Sequence, residues 1–153
     1  TYLIPTYATE ADLVTMLTSN FSRKVRSLDP DDLILASLVE RETRRPSDRP
    51  TVAGILKKRL AAGWPLQVDA TIQYARGDWS PITNTRIPSV YNTYIHPGLP
   101  PTPIANPGLE SINAVRNPKS TPYWYYLHDA QGQIHYAATI GEHNSNVDKY
   151  LRD

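Results

Sequence analysis

The chain has 153 residues, the size of one ordinary domain, and 40% of them are apolar, enough for a core. Lys and Arg number 16 against 15 Asp and Glu, a formal charge of +1, which gives no electrostatic footprint for nucleic acid or an anionic membrane surface and is compatible with a glycan. Cysteine is absent, which excludes disulfides and thiolate metal sites, and no segment approaches the roughly 20 apolar residues of a membrane span.

The chain opens at Thr1-Tyr2-Leu3 without a signal peptide, so the expectation is a domain excised from a longer protein. Thr9-Glu10-Ala11-Asp12 resembles a capping box, and Leu13, Met16, Leu17 and Phe21 follow at helical spacing. They predict a leading helix over about 9–25. Asp29 as N-cap, Pro30 at the first helical position and Asp31 and Asp32 at the positive end of the dipole start a second helix. Its Leu33, Ile34, Leu35, Ala36, Leu38 and Val39 are apolar almost all round, the pattern of a helix buried mid-domain. It ends in charge, and Pro46 stops it.

Ser47 or Asp48 caps a third helix with Pro50 in its first turn. Val52, Ile55, Leu56 and Leu60 mark its inner face, Lys57, Lys58 and Arg59 suit its C-terminal end, and Gly63 closes it. From Trp64 to about Pro107 the chain reads as loops and short strands. Asn106-Pro107-Gly108 opens a short helix carrying Leu109, Ile112 and Val115. Residues 123–128 and 134–139 flank Asp129-Ala130-Gln131-Gly132-Gln133 as a β-hairpin. A last helix starts at about Glu142 with Val147, Tyr150 and Leu151 inward. The fold class is α+β: helices first, then a loop-rich half with short strands, a hairpin and a C-terminal helix. One unit is expected over 1–153, with 1–29 as the leading helix and 30–153 as the core.

Glu40-Arg41-Glu42 at the end of the buried helix is the sharpest oddity. Glu42 lies four residues after Leu38, three after Val39 and seven after Leu35, so it continues the apolar stripe. A carboxyl there is costly to ionise, and its raised pKa suits a general acid. The bland alternative is a solvated helix end with Glu40 or Glu42 paired to Arg41, Arg44 or Arg45. Gln67 and Asp69 alternate with Leu66, Val68 and Ala70 and share one face of a strand, or Asp69 caps a short segment over 71–74. Tyr91-Asn92-Thr93-Tyr94 before the proline-rich loop is either a platform for sugar rings or a strand entering a rigid loop. His96, His128, His135 and His143 show no metal-ligand spacing, although His128 and His135 can face each other near the hairpin. Lys57 and Lys58 sit on a helix surface and give no support to a Schiff-base lysine.

The run Leu35-Ala36-Ser37-Leu38-Val39-Glu40-Arg41-Glu42-Thr43 resembles the signature of the MltG/YceG family of endolytic murein transglycosylases. Residues 52–60, Leu66-Gln67-Val68-Asp69-Ala70-Thr71, Tyr91-Asn92-Thr93-Tyr94, Gly98-Leu99-Pro100-Pro101, Ile104-Ala105-Asn106-Pro107-Gly108 and His143-Asn144 are similar to the family's further blocks, in their order. The likeness runs over roughly 30–152. Departures are Ala70 where the family often has proline, Lys58 where it usually has asparagine, and a short stretch over 76–90.

The resemblance implies that Glu42 is the catalytic acid and Glu40 a supporting residue. It implies binding of peptidoglycan strands by Gln67, Asp69, Thr71, Tyr91, Asn92, Thr93 and Tyr94, with lesser roles for Asn106, His143 and Asn144. The implied reaction cleaves the β-1,4 bond between N-acetylmuramic acid and N-acetylglucosamine and closes a 1,6-anhydro ring, without metal or cofactor. A non-catalytic peptidoglycan-binding module, or a hydrolase using water, is the alternative. The resemblance further implies a membrane helix and a LysM-like region preceding this chain, a place on the outer face of the bacterial cytoplasmic membrane, and cell-wall synthases as candidate partners.

Overall fold

The computed structural model describes residues 2–152; Thr1 and Asp153, the ends of the expected 1–153 unit, lie outside the described residues. The element order is α1 (Glu10–Lys24), α2 (Pro30–Glu42), α3 (Arg49–Ala61), α4 (Asp69–Arg76), α5 (Leu109–Arg116), β1 (Tyr125–His128), β2 (Ile134–Ala137) and α6 (Ile140–Tyr150). This is the expected α+β class, with helices leading and a hairpin near the end.

Helix α2 is the centre of the domain. Asp29 accepts the Asp31 amide at 2.8 Å and Pro30 occupies the first turn, so the helix starts where its cap residues place it. Six consecutive residues, Ile34 to Val39, are buried. Burial on all sides follows because α3, α4 and α5 all pack against it. Ser37 fits this apolar setting by donating to the Ile34 carbonyl at 2.6 Å and accepting the Ile104 amide at 3.0 Å, which ties the helix to the loop before α5.

Helix α3 follows a single 3-10 turn at Pro46–Asp48 and carries Val52, Ala53, Ile55 and Leu56 into the core. Gly54 is required there: a Cβ at this position would lie 2.1 Å from the Lys119 carbonyl oxygen. The segment after α5 thus lies directly on α3, with the Lys119 amide donating to the Pro50 carbonyl at 2.9 Å. That contact delivers the chain to β1.

Four expectations are corrected. No strand forms between 64 and 107 among the described residues; 69–76 is helical. The alternation over Leu66 to Ala70 is real as burial, with Leu66, Val68 and Ala70 buried and Gln67 and Asp69 exposed. The backbone there is not a strand: Gln67 is left-handed, and Asp69 enters the first turn of α4, where a carboxylate suits the dipole. Arg59 does not merely suit a helix end: it is 5% exposed and turned into the protein. His128 and His135 are not opposite each other, because the antiparallel register pairs His128 with Ile134 and His135 with Leu127. Helix α6 begins at Ile140, capped by Thr139, and Leu151 is 53% exposed rather than inward.

Helix α1 has its expected capping box between Thr9 and Asp12, yet none of its residues is buried. Its apolar Leu17 and Phe21 remain exposed.

Candidate active site

Glu42 is the last residue of α2, and Thr43 seals the helix end by donating its hydroxyl to the Val39 carbonyl at 2.7 Å. The stripe that buries Leu35, Leu38 and Val39 carries the Glu42 carboxyl under the hairpin, where the Tyr126 hydroxyl donates to its Oε2 at 2.8 Å. Only part of the side chain stays open to solvent. Burial pushes its pKa up to about 7; the Tyr126 hydrogen bond opposes this, the Asp69 charge adds to it, and Arg59 and Arg41 oppose it. At neutral pH such a group exists in both protonation states and can give and retake a proton.

The carboxyl faces a cleft of about 420 Å³ whose lining includes Arg59, Gln67, Asp69, Tyr94, Tyr125 and His143. Arg59 organises its wall. Its Nε donates to the Trp124 carbonyl at 2.8 Å and its Nη1 to the Leu66 carbonyl at 2.8 Å and Gln67 Oε1 at 3.3 Å. One buried cation therefore joins α3, the segment before α4 and the entry to β1. Gln67 holds a left-handed backbone, φ 56°, with its amide donating to the Thr93 carbonyl at 3.1 Å. A non-glycine residue in that region costs energy and is held there by its surroundings.

On the opposite wall the Tyr94 hydroxyl donates to Asp69 Oδ1 at 2.5 Å. Burial and then this bond hold the Tyr94 phenol well above its usual pKa, so it stays a donor. His143 stacks on Tyr125, centroids 5.3 Å apart, and its Nδ1 has no hydrogen-bond partner among the described residues. A second hollow, about 340 Å³, lies beyond Glu42 and shares Glu42, Asp69 and His128 with the first. Glu42 stands at their junction, so a long ligand lying across both presents an internal bond to it.

Of the residues singled out in the sequence, Glu42, Gln67, Asp69, Tyr94 and His143 converge on this cleft. Thr71, Asn92 and Thr93 do not line it; they are buried and build its back. The Val68 amide donates to Thr93 Oγ1 at 3.0 Å, and the Thr71 and Thr93 hydroxyls are 3.1 Å apart. Asn92 Nδ2 donates to the Thr85 and Ile87 carbonyls, and its Oδ1 accepts the Tyr94 amide at 3.0 Å, which aims Tyr94. Tyr91 packs on Tyr74, 4.9 Å between centroids, and its hydroxyl pairs with Thr102. Asn106 lines a separate hollow against α1, and Asn144 is exposed on α6.

Glu40 points away from the cleft. It forms an ion pair with Arg49 at 3.2 Å and accepts the Gly108 amide at 3.0 Å and the Ser111 hydroxyl at 2.7 Å. Burial works against its charge, yet Ser111, Gly108 and Arg49 together hold its pKa below the usual value. It fastens α2 to α3 and α5. Tyr126, Tyr125 and Arg59 line the cleft without having been singled out in the sequence, and His128, weighed there only for metal binding or cross-strand packing, lines both hollows. Among the described residues no three His, Asp or Glu side chains converge as a metal site.

The YceG-like family matches residues 1–149 of this sequence. The chain belongs to the YceG-like family. It is 39% identical over 122 residues to the endolytic murein transglycosylase of Bacillus subtilis strain 168, covering 78% of this chain and 34% of that protein. It is 32% identical over 138 residues to the endolytic murein transglycosylase of Streptococcus pneumoniae serotype 2 strain D39, covering 84% of this chain and 25% of that protein. The crystal structure of a yceG-like protein from Listeria monocytogenes superposes with a TM-score of 0.80 at 28% identity, covering 95% of this chain and 52% of that one. The YceG-like chain described here thus spans about a quarter to a third of the curated relatives it matches.

Proposed function

We propose that this YceG-like domain is a lytic transglycosylase of peptidoglycan strands. It cuts the β-1,4 bond between N-acetylmuramic acid and N-acetylglucosamine within a strand and leaves a 1,6-anhydro end. The observation that carries this reading is the Glu42 carboxyl, with its pKa pushed up to about 7, at the junction of two hollows. The relatives' names support the choice of murein as substrate.

Tyr126 occupies Oε2 of Glu42, which leaves Oε1 to carry the proton. Glu42 protonates the glycosidic oxygen and the bond from the muramic C1 to that oxygen breaks. Positive charge builds on C1, and Asp69 in the same cleft stabilises it. The C6 hydroxyl of the same sugar attacks C1, and its proton goes to the ionised Glu42. The acid is regenerated, no water is consumed, and neither metal nor cofactor enters. One carboxyl serves as acid and then base, so the paired carboxylates of hydrolytic glycosidases are not required. Gln67, Asp69, Tyr94 and His143 are the binding groups.

Purified strands incubated with the wild-type chain and with Glu42→Gln, read by mass spectrometry, test this. Anhydro ends from the wild type alone are the expected result. New reducing ends identify a hydrolase that uses water, and binding without new ends identifies a non-catalytic module. The likeness to murein-acting relatives supports the further proposal of a place on the outer face of the cytoplasmic membrane, with synthases that lay down the same strands as candidate partners.

A further inference from the structure

The hollow beyond Glu42 carries two guanidinium groups that the reaction does not use, Arg41 and Arg44. The Arg41 guanidinium lies 3.8 Å from the centroid of the Trp79 ring. Arg44 lies flat on the hairpin turn: a Cβ on Gly132 would sit 2.7 Å from its Nη1 and 3.1 Å from its Cδ. Both cations are thus held by uncharged surfaces. Neither forms an ion pair among the described residues.

Three carboxylates share this hollow, and each takes its hydrogen bonds from other groups: Glu42 accepts Tyr126, and the Arg41 charge acts on it without an ion pair. Asp129 accepts His135 at 2.8 Å and the amides of Gln131 and Gln133 at 3.0 and 2.8 Å. Asp69 accepts Tyr94. Arginine is the side chain best shaped to grip a carboxylate with two parallel hydrogen bonds. Pre-positioned and unpaired, two of them next to the cleavage point form a receptor for an anion carried by the substrate. In a stem-bearing strand the sugars are uncharged, because the lactyl carboxyl of the muramic sugar is held as an amide to the stem, and the carboxylates belong to the stem.

We propose that Arg41 and Arg44 bind a carboxylate of the peptide stem carried by the sugar lying in this hollow, so that the domain selects strands whose stem carboxylates are free over strands whose stem carboxylates are amidated. This rests on the strand-cleaving reading of Glu42. The stem lies across the hairpin turn while its sugar lies across Glu42. The arginines fix the register of the strand and take no part in bond breaking.

The test is a binding comparison by calorimetry in the Glu42→Gln chain. The probes are soluble stem-bearing strand fragments of one length, with the stem carboxylates free or converted to amides. Fragments with free carboxylates are expected to bind roughly ten- to a hundredfold more tightly, as for charge-assisted hydrogen bonds. Adding Arg41→Gln and Arg44→Gln is expected to remove that advantage and leave the affinity for amidated fragments unchanged. Both arginines are exposed, so the variant should fold, and its thermal unfolding checks that. Equal affinity for fragments with free and with amidated stem carboxylates, or a preference that survives the double substitution, overturns the proposal. In the active chain the same double variant is expected to raise KM for strands with free stem carboxylates and to leave KM for amidated strands unchanged; a change in kcat common to both strands follows from losing the Arg41 charge that acts on Glu42. Cleavage by Glu42→Gln overturns the acid reading alone; the carboxylate preference is then read from KM.

Discussion

The Tyr126 hydroxyl reaches Glu42 Oε2 at 2.8 Å from a strand 84 residues further along the chain. The bond favours the ionised carboxylate, while burial favours the neutral acid more strongly, and the balance stands at about 7. Tyr126→Phe removes the largest of the influences that oppose burial and leaves those of Arg59 and Arg41 in place. The Glu42 pKa then rises, the alkaline limb of the pH–rate profile moves to higher pH, and kcat falls about tenfold because the conjugate base loses a hydrogen bond worth roughly 1–2 kcal/mol. An unmoved alkaline limb would mean that another group sets it.

Asp69→Asn should move the same limb the other way. The Asp69 charge raises the Glu42 pKa, so its loss lowers it and the acid form is spent at lower pH. The substitution also removes the negative charge that the proposed mechanism sets against the muramic carbon, and kcat should drop by about tenfold or more. Opposite displacements in the two variants, measured under one set of conditions, identify Glu42 as the titrating group. Displacements of the same sign would not.

Much of this site was legible in the sequence because it depends on local rules. The Asp29-Pro30 start, the all-apolar turns of α2 and the stripe leading to Glu42 follow from caps and a 3.6-residue period. Gln67 and Asp69 were picked by a period of two, and both open onto the cleft even though the strand predicted for them is a turn into a helix. Arg59 was hidden because its position on α3 matches a cation at a helix end, and only the fold brings the Trp124 and Leu66 carbonyls to it. Tyr126 was hidden because nothing in a run of tyrosines tells which one meets a carboxyl 84 residues away. Asn92 and Thr93 were found as polar residues in a marked motif, but a polar side chain that satisfies buried backbone reads the same as one that meets a ligand.

Gly54→Ala sets helix propensity against packing. In an exposed helix interior the change stabilises by about 1 kcal/mol. Here the added Cβ would lie 2.1 Å from the Lys119 carbonyl oxygen, a backbone atom with no rotamer to escape into. Overpacking of this kind costs about 1–3 kcal/mol or more. The net expectation is a loss of stability, with the segment leading to β1 pushed off α3 and Tyr126 displaced from Glu42. Thermal unfolding should show a lower Tm, and activity measured well below that Tm should fall as well. A Tm at or above that of the wild type would show that the segment can move aside without cost.

Glu42→Gln should abolish cleavage yet make the protein more stable at alkaline pH. The Glu42 pKa is about 7 in the fold against 4.5 for an ordinary glutamate. Below both values the folded and unfolded chains carry the same proton, and the group adds no pH dependence. Between them the folded chain keeps a proton that the unfolded chain has released, so stability falls as pH rises and the loss is complete above the folded value. A difference of this size corresponds to about 3 kcal/mol. Glutamine has nearly the same shape, still accepts the Tyr126 hydroxyl, and carries no charge to desolvate. The Tm gained by Glu42→Gln should therefore be near zero at about pH 4 and grow to roughly 5–10 °C at about pH 8.5, the span expected for a domain of this size. A gain that is equal at both pH values would mean that Glu42 titrates normally in the fold, and it would remove the physical basis for its role as the acid.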